Sequence, residues 1–210
     1  MPRKKLVIFP YNGNGIEAVD CLSETEFELL GFIDDNSDTK TGDRALFSRE
    51  ILIQYKELYV LAVPGSPSSF QKRKLIIDGL GIDEKRFVSI IHPNASIGKA
   101  VLIGYNCLVM AGVVITSNAI IKNHVCILPN SVIHHDVIVN EYSIIGSKVV
   151  VAGDTTIGRN CYIGSGTNII NGVSIGDFSL VGLGSNIIKT VADNSKMVGN
   201  PARDLNSGSV

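Results

Sequence analysis

The chain has 210 residues, of which 45% are hydrophobic and 19% are charged, and its formal net charge at pH 7 is −1. This length and composition indicate a globular protein of one large or two modest domains. The small net charge gives no electrostatic basis for binding nucleic acid or a membrane surface. No apolar run approaches the roughly 18 residues of a membrane span, and MPRKKLVIF leads into a glycine-rich segment instead of a signal-peptide core. We therefore expect a cytoplasmic protein without a nucleic-acid or membrane partner.

The chain opens with a predicted buried strand at residues 4–9, then YNGNG, then a helix that starts in EAVDCL. This order is typical of a Rossmann-like opening, because the free N–H groups of a helix N-terminus can receive an anionic or polar ligand. Gly13, Asn14 and Gly15 are the candidate ligand-binding residues. The third glycine of a dinucleotide fingerprint is missing, so a tight strand-to-helix turn without a ligand is the alternative interpretation.

A second strand is predicted in FELLGFIDD, which ends in Asp34 and Asp35. Acidic residues at this position hold ribose hydroxyls in Rossmann-like folds, although a solvated strand end has the same pattern. A third strand is predicted at 58–65, then an amphipathic helix, then a fourth strand at 86–93. The alternation predicts a small parallel α/β domain at residues 1–88.

A strict six-residue period begins at residue 91. Every sixth position is Ile or Val through seventeen repeats: Ile91, Ile97, Ile103, Val109, Ile115, Ile121, Ile127, Ile133, Val139, Ile145, Val151, Ile157, Ile163, Ile169, Ile175, Val181 and Ile187. A small or β-branched residue stands four positions after each one. A helix would need spacings of three and four, so the hexads indicate a β-helix in which three hexads form one triangular coil.

We expect this β-helix at residues 89–192, followed by a terminal cap and tail at 193–210. All seventeen hexad side chains are expected to be buried inside the prism. The corners must turn sharply, so their Gly and Asn residues are expected to take positive φ. The corner glycines include Gly98, Gly104, Gly146, Gly158, Gly164, Gly166, Gly176, Gly182 and Gly184.

The four cysteines and His92 are expected to be structural. Cys21, Cys107, Cys126 and Cys161 show no CxxC spacing, so we expect packing roles and not disulfides or metal ligands. His92 precedes Pro93 at the domain junction, and His124 is a corner residue expected to be solvated or to face a neighbouring subunit. Zinc needs at least three ligands, and no column of the coil supplies a third histidine, so no metal site is expected.

His134, His135 and Asp136 occupy one corner of the predicted prism. Residues three hexads apart lie above one another, about 4.8 Å apart at strand spacing, which places Gly153 over His135 and is expected to leave open space there. A general base beside an exposed backbone N–H suits acyl transfer, since the base takes the nucleophile's proton and the amide steadies the oxyanion. Asp136 could orient the imidazole. A solvated His-His-Asp corner is the alternative.

At the hexads, the HHD corner and the closing VGNPAR, the chain resembles the hexapeptide-repeat acyltransferases. LGFIDD narrows the resemblance to the bacterial family of sialic acid O-acetyltransferases and N-acetyltransferases of nucleotide-linked amino sugars, and the resemblance covers nearly the whole chain. It implies an α/β Rossmann-like N-terminal domain that binds a sugar nucleotide, followed by an all-β left-handed parallel β-helix. It also implies a homotrimer with active sites between subunits and acetyl-CoA as co-substrate.

The resemblance also implies residue roles. His135 matches the catalytic base, Asp136 the adjacent carboxylate, and Gly153 the glycine whose amide faces the thioester carbonyl. The matches to the pantetheine groove of the coenzyme are Ile144, Ser165, Leu183 and Gly184. The acceptor side comprises Gly13, Asn14, Gly15, Asp34, Asp35 and His134.

The expected function is acetyl-CoA-dependent N-acetylation of the amino group of a nucleotide-linked amino-dideoxy sugar, with His135 as general base. O-acetylation of a sialic-acid-like sugar is the alternative within the same enzyme class. A non-catalytic trimeric scaffold that binds a sugar nucleotide is the alternative of another class.

Overall fold

The computed structural model describes residues 2–36 and 38–205. Within these residues the N-terminal part contains a parallel sheet, as the alternating strand and helix pattern predicted. Its strands are β1 (Lys4–Phe9), β2 (Phe27–Ile33), β3 (Leu46–Phe47) and β4 (Tyr59–Ala62), and their order in the sheet is β3-β2-β1-β4. The helices are α1 (Gly13–Ala18), α2 (Ile51–Gln54) and α3 (Arg73–Asp78), with 3-10 turns at Val19–Cys21, Phe70–Lys72 and Glu84–Arg86.

Two predicted boundaries in this part are wrong. Helix α1 begins at Gly13 and not in EAVDCL, because the Asn12 side chain caps it by accepting a hydrogen bond from the Gly15 amide at 2.8 Å. The predicted fourth strand at 86–93, expected to lead into the first coil, is shorter than predicted and forms only at Ile90–Ile91. Phe87 makes only an isolated bridge with Val60, and the strand at Ile90–Ile91 already belongs to the prism.

The rest of the chain forms the predicted parallel β-helix, whose three sheets we call faces 1, 2 and 3. Face 1 contains Ile90–Ile91, Leu108–Val109, Cys126–Ile127, Ile144–Ile145, Tyr162–Ile163 and Leu180–Val181. Face 2 contains Ser96–Ile97, Val114–Ile115, Val132–Ile133, Val150–Val151, Asn168–Ile169 and Asn186–Ile187. Face 3 contains Leu102–Ile103, Ile120–Ile121, Ile138–Val139, Thr156–Ile157 and Ser174–Ile175. Strand partners stand three hexads apart in the sequence, as Ile127 and Ile145 do.

The end of the β-helix departs from this register. Ile175 forms a bridge with Val191 and not with Asp193, which stands three hexads further on, so the last coil is shorter than the others. Lys196–Gly199 then pairs parallel with face 1 and antiparallel with Ala202–Asp204, which closes the top of the prism. The predicted tail from residue 206 onward lies outside the described residues.

The hexad side chains form the core of the prism, with three exceptions at its open end. Ile91 and Ile97 are 40% and 38% exposed, and Ile103 is half-buried, while the other fourteen are buried. The expectation of seventeen buried side chains is therefore wrong for the first coil, because no coil lies beneath it. The inward hydroxyls are also satisfied: Ser131 and Ser143 donate to carbonyls of the next coil, each at 2.7 Å.

The corners turn through one positive-φ residue at their third position. Between faces 2 and 3 these residues are Ala100, Asn118, Asp136, Asp154 and Gly172; between faces 3 and 1 they are Asn106, His124, Tyr142, Asn160 and Phe178. Between faces 1 and 2 they are Gly112, Asn130, Lys148, Gly166 and Gly184. We call these three edges the 2–3, 3–1 and 1–2 corners.

Most of the predicted corner glycines do not take positive φ and have a different structural role. Only Gly166 and Gly184 of that group take it. The others stand at the first corner position, where successive coils approach closely: a Cβ on Gly146 would lie 2.6 Å from the Ser165 amide nitrogen. The expectation that these glycines supply positive φ is therefore wrong, and Asn, Asp and even aromatic residues supply most of it.

The N-terminal sheet packs against face 1 of the prism. One side of the sheet joins the outward side chains of face 1 in a common core, which includes Leu6, Ile8, Phe32, Leu61, Leu108, Cys126 and Ile144. The other side packs under α2 and α3 through Val7, Phe9, Ile33, Val60, Leu52 and Ile77. The four cysteines are buried and free, as expected for packing residues. No helix in the described part of the chain is long and apolar enough to cross a bilayer.

Polar contacts at the 3–1 corner tie the two parts together. The Asn106 side chain pairs with the Ala62 backbone, accepting from its amide at 2.7 Å and donating to its carbonyl at 2.9 Å. Arg73 is fully buried and donates to the carbonyls of Tyr142 at 2.8 Å, His124 at 2.7 Å and Pro64. A buried guanidinium is tolerated because its N–H groups meet these carbonyl oxygens.

His124 lies inside this junction, so the expectation that it is solvated or faces another subunit is wrong. It is 4% exposed, its ring stacks on Tyr142 at 4.6 Å, and its Nδ1 accepts from the Asn106 amide at 2.8 Å. Burial, reinforced by the charge of Arg73, lowers the pKa of His124 to about 4. The sequence could not indicate this, since the docking of the N-terminal sheet causes the burial.

The neutral state of His124 makes stability depend on pH. Its pKa of about 4 in the folded protein lies below the ordinary value of 6.5, so the unfolded chain binds the proton more readily and stability falls as pH drops through this window. We expect a loss of about 2 kcal/mol between pH 7 and pH 5 in urea unfolding. The matched variant His124→Asn, which tolerates the positive φ, should lack this loss. The same pH dependence in both proteins would contradict the assignment.

Candidate active site

His135 and Asp136 form a hydrogen-bonded pair on the 2–3 corner. His135 Nδ1 lies 2.8 Å from Asp136 Oδ2, and the two side chains are 57% and 45% exposed. Hydrogen bonds from His135 and then from Asn118 lower the pKa of the Asp136 carboxyl group. An ionised carboxylate only accepts, so the His135 Nδ1 carries the proton and the Nε2 of the neutral ring is free to accept one.

Gly153 lies against the imidazole of His135. A Cβ on Gly153 would lie 2.5 Å from His135 Cε1 and 2.6 Å from Nε2. The space that the sequence pattern predicted to be open is therefore filled by the ring itself, and the missing side chain of Gly153 is what lets the ring lie there. His134, the neighbouring residue, is half-buried.

Asp154, which was not among the predicted site residues, lies one coil above Asp136. One ring nitrogen of His135 and one carboxylate oxygen each of Asp136 and Asp154 all lie within 4.8 Å of one another. The three side chains are exposed, and exposed acidic groups are common without a metal. The stacking column through Asp136 would have revealed Asp154, because stacking brings the two carboxylates together.

The predicted acceptor-side carboxylates lie beyond the carboxyl end of β2 and are already engaged. Asp34 accepts from the amides of Tyr11 at 3.1 Å and Asn36 at 2.9 Å, so it orders two loops. Asp35 forms a bidentate ion pair with Arg49, with distances of 2.6 and 2.7 Å. Asp35 and Arg49 line a cavity of about 360 Å³ together with Phe9, Asn12, Ser66 and Ile76.

A second cavity of about 280 Å³ lies where the N-terminal loops meet face 1. Its lining includes Gly13, Asn14, Leu128, Ile144 and Tyr162. Ile144, predicted for the coenzyme groove, therefore lies with predicted acceptor residues and is 1% exposed. Gly15 has a packing role, because a Cβ there would overlap the carbonyl oxygen of Pro10.

The other predicted coenzyme residues lie on the 1–2 corner. Leu183 is 75% exposed, Gly184 takes φ +63°, and the Ser165 hydroxyl accepts from the Ser147 amide at 3.1 Å. The 1–2 corner and the His135 corner are the two edges of face 2, whereas the N-terminal sheet covers face 1. His135 therefore lies on the edge opposite the N-terminal sheet of its own chain.

Comparison with known proteins identifies the family. The family model described as bacterial transferase hexapeptide (six repeats) matches residues 118–153, which include the whole His135 corner. The protein SACOL2570 of Staphylococcus aureus (strain COL), an acetyltransferase by name, is 35% identical over 144 residues, which cover 65% of this chain and 70% of the relative. The chain belongs to the hexapeptide-repeat transferases. It is an acyltransferase.

Two solved acetyltransferase structures share the fold over both parts of the chain. The acetyltransferase domain of PglB from Neisseria gonorrhoeae FA1090, in complex with acetyl coenzyme A, superimposes with a TM-score of 0.85 at 21% identity and covers 97% of this chain and 100% of that one. A mutant of GDP-perosamine N-acetyl transferase from Caulobacter crescentus, in complex with CoA and GDP-perosamine, gives 0.82 at 22% identity and 97% coverage of each chain. The N-terminal sheet and the β-helix together are thus a recurring architecture.

The contact between Gly153 and His135 predicts the effect of adding one methyl group. In Gly153→Ala the imidazole must swing toward solvent and lose its bond to Asp136. We expect the fraction of His135 protonated on Nδ1, read from ¹⁵N-histidine NMR spectra, to fall while the melting temperature changes little. Gly13→Ala is the control, since a Cβ there meets nothing within 4 Å. An unchanged His135 spectrum in Gly153→Ala would show that the ring does not depend on this glycine.

Proposed function

We propose that this acyltransferase uses acetyl-CoA to acetylate the amino group of a nucleotide-linked amino-dideoxy sugar, with His135 as general base. The observation that carries the proposal is the His135–Asp136 pair, which leaves Nε2 free to accept a proton at an exposed corner of a hexapeptide prism. General bases of this kind contribute about 10²- to 10⁴-fold to a rate.

The reaction requires a neutral amine, a base and a steadied oxyanion. The amine of the acceptor attacks the thioester carbonyl of acetyl-CoA, and His135 Nε2 takes the proton that the nitrogen loses. Asp136, bonded to Nδ1 at 2.8 Å, stabilises the imidazolium that forms. The backbone N–H of Gly153 donates to the developing oxyanion. Collapse of the tetrahedral intermediate breaks the carbon–sulfur bond, and the CoA thiolate leaves and takes up a proton.

The charge around His135 favours an amine over a sialic-acid-like acceptor. Asp136 and Asp154 both bring carboxylate oxygens within 4.8 Å of the His135 ring nitrogen. Such a site attracts an ammonium group and repels the carboxylate of a sialic acid. Solved relatives support the same class: one binds GDP-perosamine, and an N-acyltransferase from Bacillus cereus binds dTDP-4-amino-4,6-dideoxyglucose. O-acetylation of a sialic-acid-like sugar is the second candidate, because the same base could activate a hydroxyl.

The acceptor's nucleotide is proposed to bind at the carboxyl ends of β1 and β2. The cavity there has apolar walls at Phe9 and Ile76 and polar groups at Asn12, Asp35 and Arg49. In parallel α/β sheets, ligands bind at the carboxyl ends of the strands where the strand order reverses, and the order β3-β2-β1-β4 reverses beside β1. This order supports a Rossmann-like N-terminal domain, and membership in the hexapeptide family supports left-handed winding of the prism.

A homotrimer with shared active sites is part of the proposal. An acceptor held by the N-terminal sheet over face 1 is far from His135 of the same chain, which lies on the opposite edge. A neighbouring prism would bring its own His135 to the acceptor. The outward side chains in the middle coils of faces 2 and 3 suit such contacts, since they are apolar and half-buried: Val114, Ile120, Val132, Ile138 and Val150.

Replacing the base tests the proposal directly. We expect His135→Ala to lower acetyl transfer by about 10²-fold or more without loss of oligomeric state, because a general base is removed. The assay measures thiol release from acetyl-CoA with amino-sugar nucleotides, including GDP-perosamine, and with sialic acids as acceptors. His92→Ala is the control. Activity of His135→Ala within a few fold of the parent would contradict the assignment of His135 as the base. Thiol release only with sialic acids would favour O-acetylation. No thiol release with any acceptor would favour a non-catalytic scaffold.

Replacing Asp35 tests whether the acceptor binds in the N-terminal part. We expect Asp35→Ala to raise the acceptor's KM about tenfold or more, since it removes a charged group and frees Arg49 in the cavity. The KM of acetyl-CoA should change less than about twofold, because the coenzyme residues lie on the prism. Asp43→Ala, at an exposed carboxylate on the same segment, is the control. Equal increases in both KM values would argue against an acceptor site in the N-terminal part.

A further inference from the structure

A polar column runs along the 2–3 corner behind His135. Asn118, Asp136 and Asp154 occupy equivalent positions in three successive coils, with φ of 64°, 59° and 57°. Asn and Asp tolerate this backbone conformation, which is one sufficient reason for their presence. Their side chains also interact across coils: the Asn118 amide Nδ2 donates to Asp136 Oδ1 at 3.1 Å.

The two oxygens of Asp136 have different partners. Oδ1 accepts from Asn118, whereas Oδ2 faces His135 Nδ1 at 2.8 Å. Asn118 therefore fixes the rotation of the carboxylate, which fixes the oxygen that the imidazole meets. A carboxylate held only by the imidazole could turn about its own axis, and the ring could turn with it.

Asp154 makes this restraint more important. It lies on the other side of Asp136 from Asn118, and its carboxylate is among the atoms that lie within 4.8 Å of one another at His135. Two ionised carboxylates at this distance repel each other, so Asp136 tends to turn away from Asp154. A neutral donor on the far side holds Asp136 in place without adding a third charge. Aspartate at position 118 would tolerate the backbone equally well but would lack the donor.

We propose that Asn118 is a positioning residue that orients Asp136 and thereby holds His135 with Nδ1 protonated and Nε2 free. Its effect on rate rests on the proposed function, whereas its effect on the imidazole does not. The chain of contacts is Asn118 to Asp136 to His135, with one hydrogen bond at each step.

Two variants separate the effect of losing the hydrogen-bond donor from the effect of changing the backbone conformation. Asn118→Asp keeps the shape and the backbone preference but replaces the donor with an acceptor, and Asn118→Gly keeps the positive φ and removes the side chain. The matched control is Asn130→Gly, at the same corner position on another edge with φ 61°, whose side chain lies over Gly112. Melting temperatures of the four proteins establish that the coil is intact.

The first readout is the His135 imidazole in ¹⁵N-histidine NMR spectra, assigned with His135→Ala. We expect a single Nδ1-protonated form in the parent and in Asn130→Gly, and a mixture of tautomers in both Asn118 variants. The parent tautomer in both Asn118 variants would overturn the proposal, whichever reaction the protein catalyses.

The second readout is acetyl transfer to the most active acceptor of the amino-sugar nucleotide panel. We expect kcat to fall about tenfold in Asn118→Gly and further in Asn118→Asp, with the KM of acetyl-CoA within about twofold of the parent. A fully active His135→Ala would refute the proposed function and leave the NMR spectra of the ring as the test of Asn118. A collapse in His135→Ala with unchanged kcat in both Asn118 variants would refute the positioning role alone.

Discussion

The three-hexad register of the coil is the constraint on which the rest of the structure depends. Every hexad turns its aliphatic and its small residue inward, and each strand pairs with its counterpart one coil away, as Ile127 does with Ile145. A slip of one residue would turn the inward side chains outward, so the pattern must hold without interruption. It also sets the contacts between successive corners, because a corner side chain lies beside the residues of the coils directly above and below it. The catalytic candidates and the domain junction are both products of this stacking.

The three edges of the prism share the same backbone conformation but lie in different surroundings. The 3–1 corner meets the N-terminal sheet, so its positive-φ residues Asn106 and His124 are buried and bonded to the junction. The 2–3 corner faces away from that sheet, and Asn118, Asp136 and Asp154 stay polar and accessible. Arg73 makes the junction specific, since its buried guanidinium must meet carbonyls from both parts. This arrangement separates the cavity at the carboxyl ends of β1 and β2 from the edge of the prism that carries His135.

The sequence was informative where contacts follow from spacing and uninformative where they follow from docking. The hexads predicted the prism, and the column arithmetic placed Gly153 beside His135, although the ring and not a substrate fills that space. The burial of His124 could not be predicted, because it depends on where the N-terminal sheet packs. The contacts of Asp34 with Tyr11 and of Asp35 with Arg49 join residues 23 and 14 positions apart in the sequence, so no local pattern indicates them. The short β3 and α2 carry too little periodicity to be recognised.

The third position of each corner explains how a prism without inserted loops can carry chemistry. That position needs a residue that accepts positive φ, and Asn and Asp are among the few that do so at low cost. Asp136 therefore brings a carboxylate to an exposed edge while meeting a backbone requirement, and the coil repeats the opportunity at Asn118 and Asp154. Stacking then brings Asn118 within hydrogen-bond distance of Asp136 and places Asp136 and Asp154 beside His135. The regular coil thus supplies a histidine, a carboxylate bonded to it and a hydrogen-bond donor to that carboxylate. Under the proposed function, specificity for the acceptor must come from outside the corner.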